Sequence, residues 1–319
     1  MGCKEDVLQI FPKDIRFILG QVSVDFGQVQ EIRLRVQGPL LMICQNQEFY
    51  VTSEGTLSTQ ARDAYEVSAR ELKDTLEYMG RYSLYAFEEE MKQGFLTIPG
   101  GHRVGLAGRT ICDEKGIRSM KYISSINVRL AHQIRGCADP VLPWMYERGE
   151  ICHTLILSPP RCGKTTLLRD LVRQISDGGR EHPGMNVGVV DERSEIAACY
   201  QGVPQNDLGI RTDVLDCCPK ARGIWMLIRT MSPQVIAVDE IGSREEMEAL
   251  EYVMNCGCRI IATIHGSSIE DVQKKPALAR LVAERWFGRY LILKPQKKVG
   301  GRIGIYDGQG VKLCETGGG

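Results

Sequence analysis

The chain has 319 residues, 43% hydrophobic and 25% charged, with 40 basic and 40 acidic side chains and a formal net charge of zero. That length accommodates two domains of about 100–200 residues each, and the balanced charge argues against a broad electrostatic footprint for nucleic acid. No apolar run approaches the ~18 residues of a membrane helix, and the opening Met1-Gly2-Cys3-Lys4-Glu5-Asp6 has neither an apolar signal core nor a myristoylation pattern, so a cytoplasmic location is expected.

Glu31 to Cys44 alternates apolar and charged residues, turns at Gly38-Pro39 and resumes apolar, which predicts a hairpin. Ser68-x-x-Glu71 has the form of a capping box opening a helix to about Met79, stopped by Gly80. Tyr85 to Gln93 reads as a second helix. Phe95–Ile98, His102–Arg109 and Ser125–Ala131 read as strands, with Pro99-Gly100-Gly101 as a turn. Residues 1–133 thus form a smaller α+β domain without a catalytic constellation, and 134–319 form a second domain.

After a helix expected from about Asp139 to Glu147, the second domain alternates. Strands are expected at Thr154–Leu157, Val187–Val190, Val235–Val238 and Arg259–Thr263, and helices at 164–176, about 219–230 and 244–255. That spacing implies an α/β fold with a mostly parallel sheet and helices on both faces. Ligands of such sheets sit beyond the C-terminal ends of the strands.

The most specific motif lies at the first of those ends. Ser158-Pro159-Pro160-Arg161-Cys162-Gly163-Lys164-Thr165-Thr166 joins the strand to the helix. Strand, tight turn and helix N-terminus with Gly-Lys-Thr make a phosphate-binding loop. The turn's N–H groups and the helix dipole favour an anion at one place. Lys164 would reach the outer phosphates of a nucleotide such as ATP, and Thr165 would ligate Mg²⁺. The usual first glycine is Ser158 here. A plain surface turn can also spell Gly-Lys-Thr-Thr; the flanking strand and amphipathic helix favour the phosphate loop.

Val235-Ile236-Ala237-Val238-Asp239-Glu240 is an apolar strand ending in two acids. Asp239 would hold Mg²⁺ through its water shell, and Glu240 would orient or deprotonate the attacking water. Val189-Val190-Asp191-Glu192-Arg193 repeats the pattern, so Glu192 is a second candidate base, with a solvated acidic helix start as the alternative. His265, after Ala262-Thr263-Ile264, would donate to the γ-phosphate or relay hydrolysis to a moving segment. Candidates for a charge-stabilising arginine are Arg193, Arg211, Arg229, Arg109, Arg129 and Arg135. Twelve scattered cysteines without a Cys-x-x-Cys pair read as reduced, mostly buried small hydrophobes. Cys162 is the exception, because it lies in the phosphate loop.

The run from Trp225 to Ser267 resembles secretion and pilus ATPases of the RecA-like class. The segments 83–90, 93–109 and 189–216 resemble the stage III sporulation protein AA family, and the likeness extends over nearly the whole chain from about residue 30. The resemblance implies a RecA-like P-loop core and a cytoplasmic ATPase of the mother cell. It implies docking on a membrane protein of a channel complex encoded in the same operon, and a hexamer as the working form. It assigns the nucleotide loop to Ser158–Thr165, an aspartate box to Asp191–Arg193, the metal-side pair to Asp239–Glu240 and the histidine motif to His265. Family members commonly have a small residue where Arg161 stands. ATP-driven opening and closing about residues 131–137 is the leading mechanism. A nucleic-acid motor is one alternative, disfavoured by the neutral charge, and a non-hydrolysing nucleotide-gated scaffold is another.

Overall fold

The computed structural model describes residues 2–80, 95–113, 116–160, 162–276, 278–295 and 302–316. The helix expected at Tyr85–Gln93, Arg161 of the phosphate loop and the segment 83–90 lie outside these residues. The chain divides into two compact units, Met1–His132 with Ala198–Gln205, and Gln133–Ala197 with Asn206–Gly319.

In the first unit the described residues form a seven-stranded sheet in the order Leu57–Ser58, Gln47–Val51, Leu41–Cys44, Val29–Arg35, Gly116–Arg129, His102–Asp113, Phe95–Ile98. The expected hairpin is present, with Val29–Arg35 antiparallel to Leu41–Cys44. Gly38-Pro39 inside its turn forms a short bridge to Glu66–Val67. The helix Ala69–Met79 carries both halves of the capping box, Ser68 Oγ accepting from Glu71 N–H and Glu71 accepting from Ser68 N–H, and it ends at Gly80. Strand positions such as Ile32, Leu34, Val104, Ile126 and Val128 alternate onto one face and bury against Phe11, Ile15, Leu19 and Leu72.

The second unit is built on an eight-stranded sheet in the order Thr212–Asp216, Val187–Asp191, Val235–Val238, Arg259–His265, Thr154–Ser158, Arg289–Leu293, Ile303–Asp307, Lys312–Thr316. The first six are mutually parallel and the last two antiparallel. Thr154–Ser158, Val187–Asp191 and Val235–Val238 are buried at every position, as strands covered on both faces must be. Leu155, Leu157, Val190, Ile236, Val238 and Ile260 pack with Ile224, Leu227, Leu250 and Val253 from the helices Lys220–Thr230 and Arg244–Asn255. The helix Lys164–Asp177 buries Leu167, Leu168, Leu171, Val172 and Ile175, the stripe its 3.6-residue period demands.

The expected helix at Asp139–Glu147 is absent among the described residues. Leu142–Met145 is a 3₁₀ turn, and Tyr146–Glu147 is a strand pairing with Glu150–Ile151. Pro140 and Pro143 explain this: each lacks the N–H that a continuous α-helix would need there. The strands at 212–216, 289–293, 303–307 and 312–316 were not expected from the sequence.

Candidate active site

Parallel register brings the C-terminal ends of four strands together. Ser158 lies opposite His265, and Val238 is flanked by Val190 on one side and Ala262 on the other. Every motif that follows one of these strands therefore opens on the same edge.

Ser158 is fully buried and its Oγ donates to Pro159 O at 2.7 Å. Gly163 caps the helix with φ 88°, a left-handed value that suits glycine. Lys164 is 7% exposed, with its ammonium 3.0 Å from Asp239 Oδ1 and 2.9 Å from Glu240 Oε1. Thr165 Oγ1 donates to Asp239 Oδ2 at 2.8 Å. Thr263 Oγ1 also donates to Asp239, and accepts from Glu240 N–H at 2.9 Å. His265 Nε2 donates to Glu240 Oε1 at 2.6 Å.

Glu240 is the hub of this cluster. Its φ of 54° is unusual for a side chain of its size, and its carboxylate takes Lys164, His265 and, at 3.4 Å, Arg193. Burial works to raise its carboxyl, but the bonds and charges of Lys164 and His265 outweigh burial and hold it below the usual carboxylate range.

The other acid-ended strand is arranged differently. Asp191 turns inward, 2% exposed, and accepts from the N–H groups of Glu195, Ile196 and Ala197 at 2.9, 2.8 and 2.8 Å. Burial keeps its carboxyl above the usual range despite those bonds. Arg169, from the phosphate-loop helix, grips the same loop through Ile196 O and Glu195 O, both at 2.8 Å. Glu192 pairs with Lys220 at 3.0 Å rather than with Lys164. Asp191, Glu192, Arg193, Lys220, Asp239 and Glu240 share one cleft.

Of the core arginines expected as candidates, Arg193 reaches this cluster. Arg211 bonds Ser176 O and Asp177 O at the far end of the helix, Arg229 stacks over Trp225, and Arg135 pairs with Asp207 at 2.8 Å. Arg109 and Arg129 belong to strands of the first unit. Lys220 was missed from sequence. The available signal was a lysine at the first turn of a helix, where the dipole disfavours a cation. Burial opposes the charge on Lys220, but Glu192 and Glu246 outweigh it and hold the ammonium above its ordinary range.

Thr165 and Asp239 present hard oxygen donors side by side, the chemistry Mg²⁺ selects. Among the described residues no cluster of three or more His, Cys, Asp or Glu forms a metal cage; a magnesium ion shared with phosphates and water needs none.

A family model for "Sporulation stage III, protein AA" matches residues 1–313. The chain belongs to this family. Stage III sporulation protein AA of Bacillus subtilis (strain 168) is 42% identical over 312 residues, covering 98% of this chain and 97% of that protein. Among solved structures, the ATPase DotB of Legionella pneumophila aligns with a TM-score of 0.54 at 14% identity, over 84% of this chain and 73% of that one. The pilus retraction motor PilT with bound ADP aligns with a TM-score of 0.56 at 15% identity, over 94% and 82%. At such identities the likeness establishes the fold, which is that of RecA-like secretion ATPases. Among the described residues no helix is long and apolar enough to cross a membrane.

Proposed function

We propose that this sporulation protein is a Mg²⁺-dependent ATPase that drives a secretion-like channel complex between mother cell and forespore. The observation that carries the reading is the convergence of Lys164, Thr165, Asp239, Glu240 and His265, each within hydrogen-bond distance of another, at the C-terminal edge of a RecA-like sheet. Family membership supports the biological setting, and the likeness of fold to DotB and PilT supports a motor.

In this reading the N–H groups of Cys162 and Gly163 and the N-terminus of the helix Lys164–Asp177 bind the polyphosphate. Lys164 exchanges a carboxylate partner for phosphate oxygens. Thr165 and Asp239 would hold magnesium, which would supply neutralising charge to the phosphates. Glu240 orients the attacking water and accepts its proton, and His265 fixes the carboxylate's rotamer through Oε1. Glu240 is favoured over Glu192 as the base, because its carboxylate lies beside Lys164 and His265 while that of Glu192 faces Lys220. Arg193 is the arginine suited to charge developing beside Glu240. The working form is a hexamer at the inner face of the membrane, held there by a membrane protein encoded in the same operon, with no nucleic acid as substrate.

The test is calorimetric titration with Mg-ATP, and ATPase rate against protein concentration, for wild type, Lys164→Ala, Glu192→Gln and Glu240→Gln. Lys164→Ala is expected to lose binding. Glu240→Gln is expected to bind ATP but lose on the order of 10²-fold or more in turnover, within the general-base range, and Glu192→Gln to lose far less. A folded wild type that gives no heat with ATP refutes the proposal. Turnover per chain that does not rise with protein concentration refutes the hexamer, and tight ATP binding with negligible turnover that Glu240→Gln leaves unchanged favours the scaffold.

A further inference from the structure

We infer that Lys220 is a positioning residue of this site, holding the backbone of Glu240 in its left-handed conformation and tying together the two acid-ended strands; the inference rests on the ATPase reading above. Lys220 opens the helix Lys220–Thr230 directly after Pro219. Its side chain is 10% exposed. The ammonium lies 3.0 Å from Glu240 O, 3.0 Å from Glu192 Oε2 and 3.3 Å from Glu246 Oε1. An ammonium has three donors, and here three acceptors from three separate segments use them all.

The acceptor that matters for chemistry is the carbonyl of Glu240. A glutamate at φ 54° persists only where its surroundings over-determine it. Thr263 Oγ1 fixes the Glu240 N–H at 2.9 Å, and Thr263 O takes the N–H of Ile241 at 2.9 Å. Lys220 fixes the carbonyl between them. With the peptide groups on both sides of Cα pinned, the Cα–Cβ bond is fixed in the direction from which the carboxylate reaches Lys164 and His265. Removing the ammonium frees that carbonyl and leaves Glu192 and Glu246 facing each other without a counter-charge. Both effects turn Glu240 away while leaving the phosphate loop intact. Glu246 is itself held, because its other oxygen closes the capping box on Ser243 N–H at 2.9 Å, so the tripod stands on a fixed foot.

The experiment uses the full chain as Lys220→Met, Lys220→Arg and Lys220→Met/Glu192→Gln, the last relieving the unpaired carboxylate should the single variant fail to fold. Lys220→Met is expected to bind Mg-ATP within about threefold of wild type while kcat falls by about tenfold or more, as a displaced catalytic group requires. Amide hydrogen exchange in residues 239–242 of the nucleotide-free protein is expected to accelerate. Lys220→Arg keeps the charge and the donors, so it retains more turnover and protection than Lys220→Met. The double variant folds but stays slow. Unchanged kcat in folded Lys220→Met, a parallel loss of binding and kcat, or unaltered exchange at 239–242 overturns the inference. A wild type that neither binds nor hydrolyses ATP sinks the ATPase reading instead, and the exchange measurement reports on the tether independently.

Discussion

Replacing Asp191 by alanine removes the acceptors of three backbone N–H groups, those of Glu195, Ile196 and Ala197, in a place where the aspartate is 2% exposed. A hydrogen bond of this kind contributes about 1 kcal/mol net, so the loss is about 3 kcal/mol, on the order of a hundredfold in the unfolding equilibrium. Donors left dry push the figure up, and entering water pulls it down. The loop cannot readily find another arrangement, because Ser194 at φ 53° is already in the left-handed region and Arg169 holds the neighbouring carbonyls. All three tryptophans, Trp144, Trp225 and Trp286, lie in the second unit, so their fluorescence in a urea titration at pH 8 reports that unit. With a urea slope of about 2 kcal/mol per molar, the midpoint is expected to fall by about 1.5 M. Asp191→Asn keeps one acceptor oxygen and is expected to lose roughly half as much. A shift below about 0.3 M for the alanine variant, about 0.6 kcal/mol at that slope, would refute the idea that Asp191 is a structural anchor for the loop.

Three further outcomes follow from particular contacts. Cys162 is partly exposed in the phosphate loop, its thiol 3.6 Å from Pro160 O; iodoacetamide labelling of its peptide, read by mass spectrometry, should slow with saturating Mg-ATP, and equal labelling would remove the nucleotide from that loop. Gly223→Ala places a Cβ 2.5 Å from Val190 Cγ1 and 3.1 Å from Cys218 Sγ; pushing the helix Lys220–Thr230 off the sheet should cost about 1–3 kcal/mol by the same fluorescence titration, and a neutral result would mean the helix is free to move. His153 is held at about 4, from an ordinary 6.5, by burial and then by the Arg259 charge, while its Nδ1 accepts from Ile260 N–H at 3.2 Å. The unfolded chain then binds a proton the folded one refuses, so this contribution is complete above pH 6.5 and is lost as pH falls from 6.5 toward about 4. His153→Gln should flatten the fall of the urea midpoint across that window; an unchanged slope would contradict the shift.

What the sequence determined by itself were the elements whose signals are local. The apolar runs Thr154–Leu157 and Val235–Val238, the capping box at Ser68 and Glu71, and Gly-Lys-Thr at a helix start each carry their cause within a few residues. Once those strands were read as parallel, the meeting of Lys164, Thr165, Asp239, Glu240 and His265 on one edge followed, because parallel order places every following loop at the same end. The helix expected at Asp139–Glu147 does not form, because two prolines in it lack N–H groups. The tertiary structure alone decided how like-looking acids differ. Asp191 and Asp239 both end apolar strands, yet one turns in to cap a loop and the other faces Thr165. It also decided that Lys220, 20 residues from Glu240 along the chain, grips its carbonyl. Such pairings depend on which strand ends lie side by side and on which carboxylates share one cation, and no periodicity within a single segment encodes either.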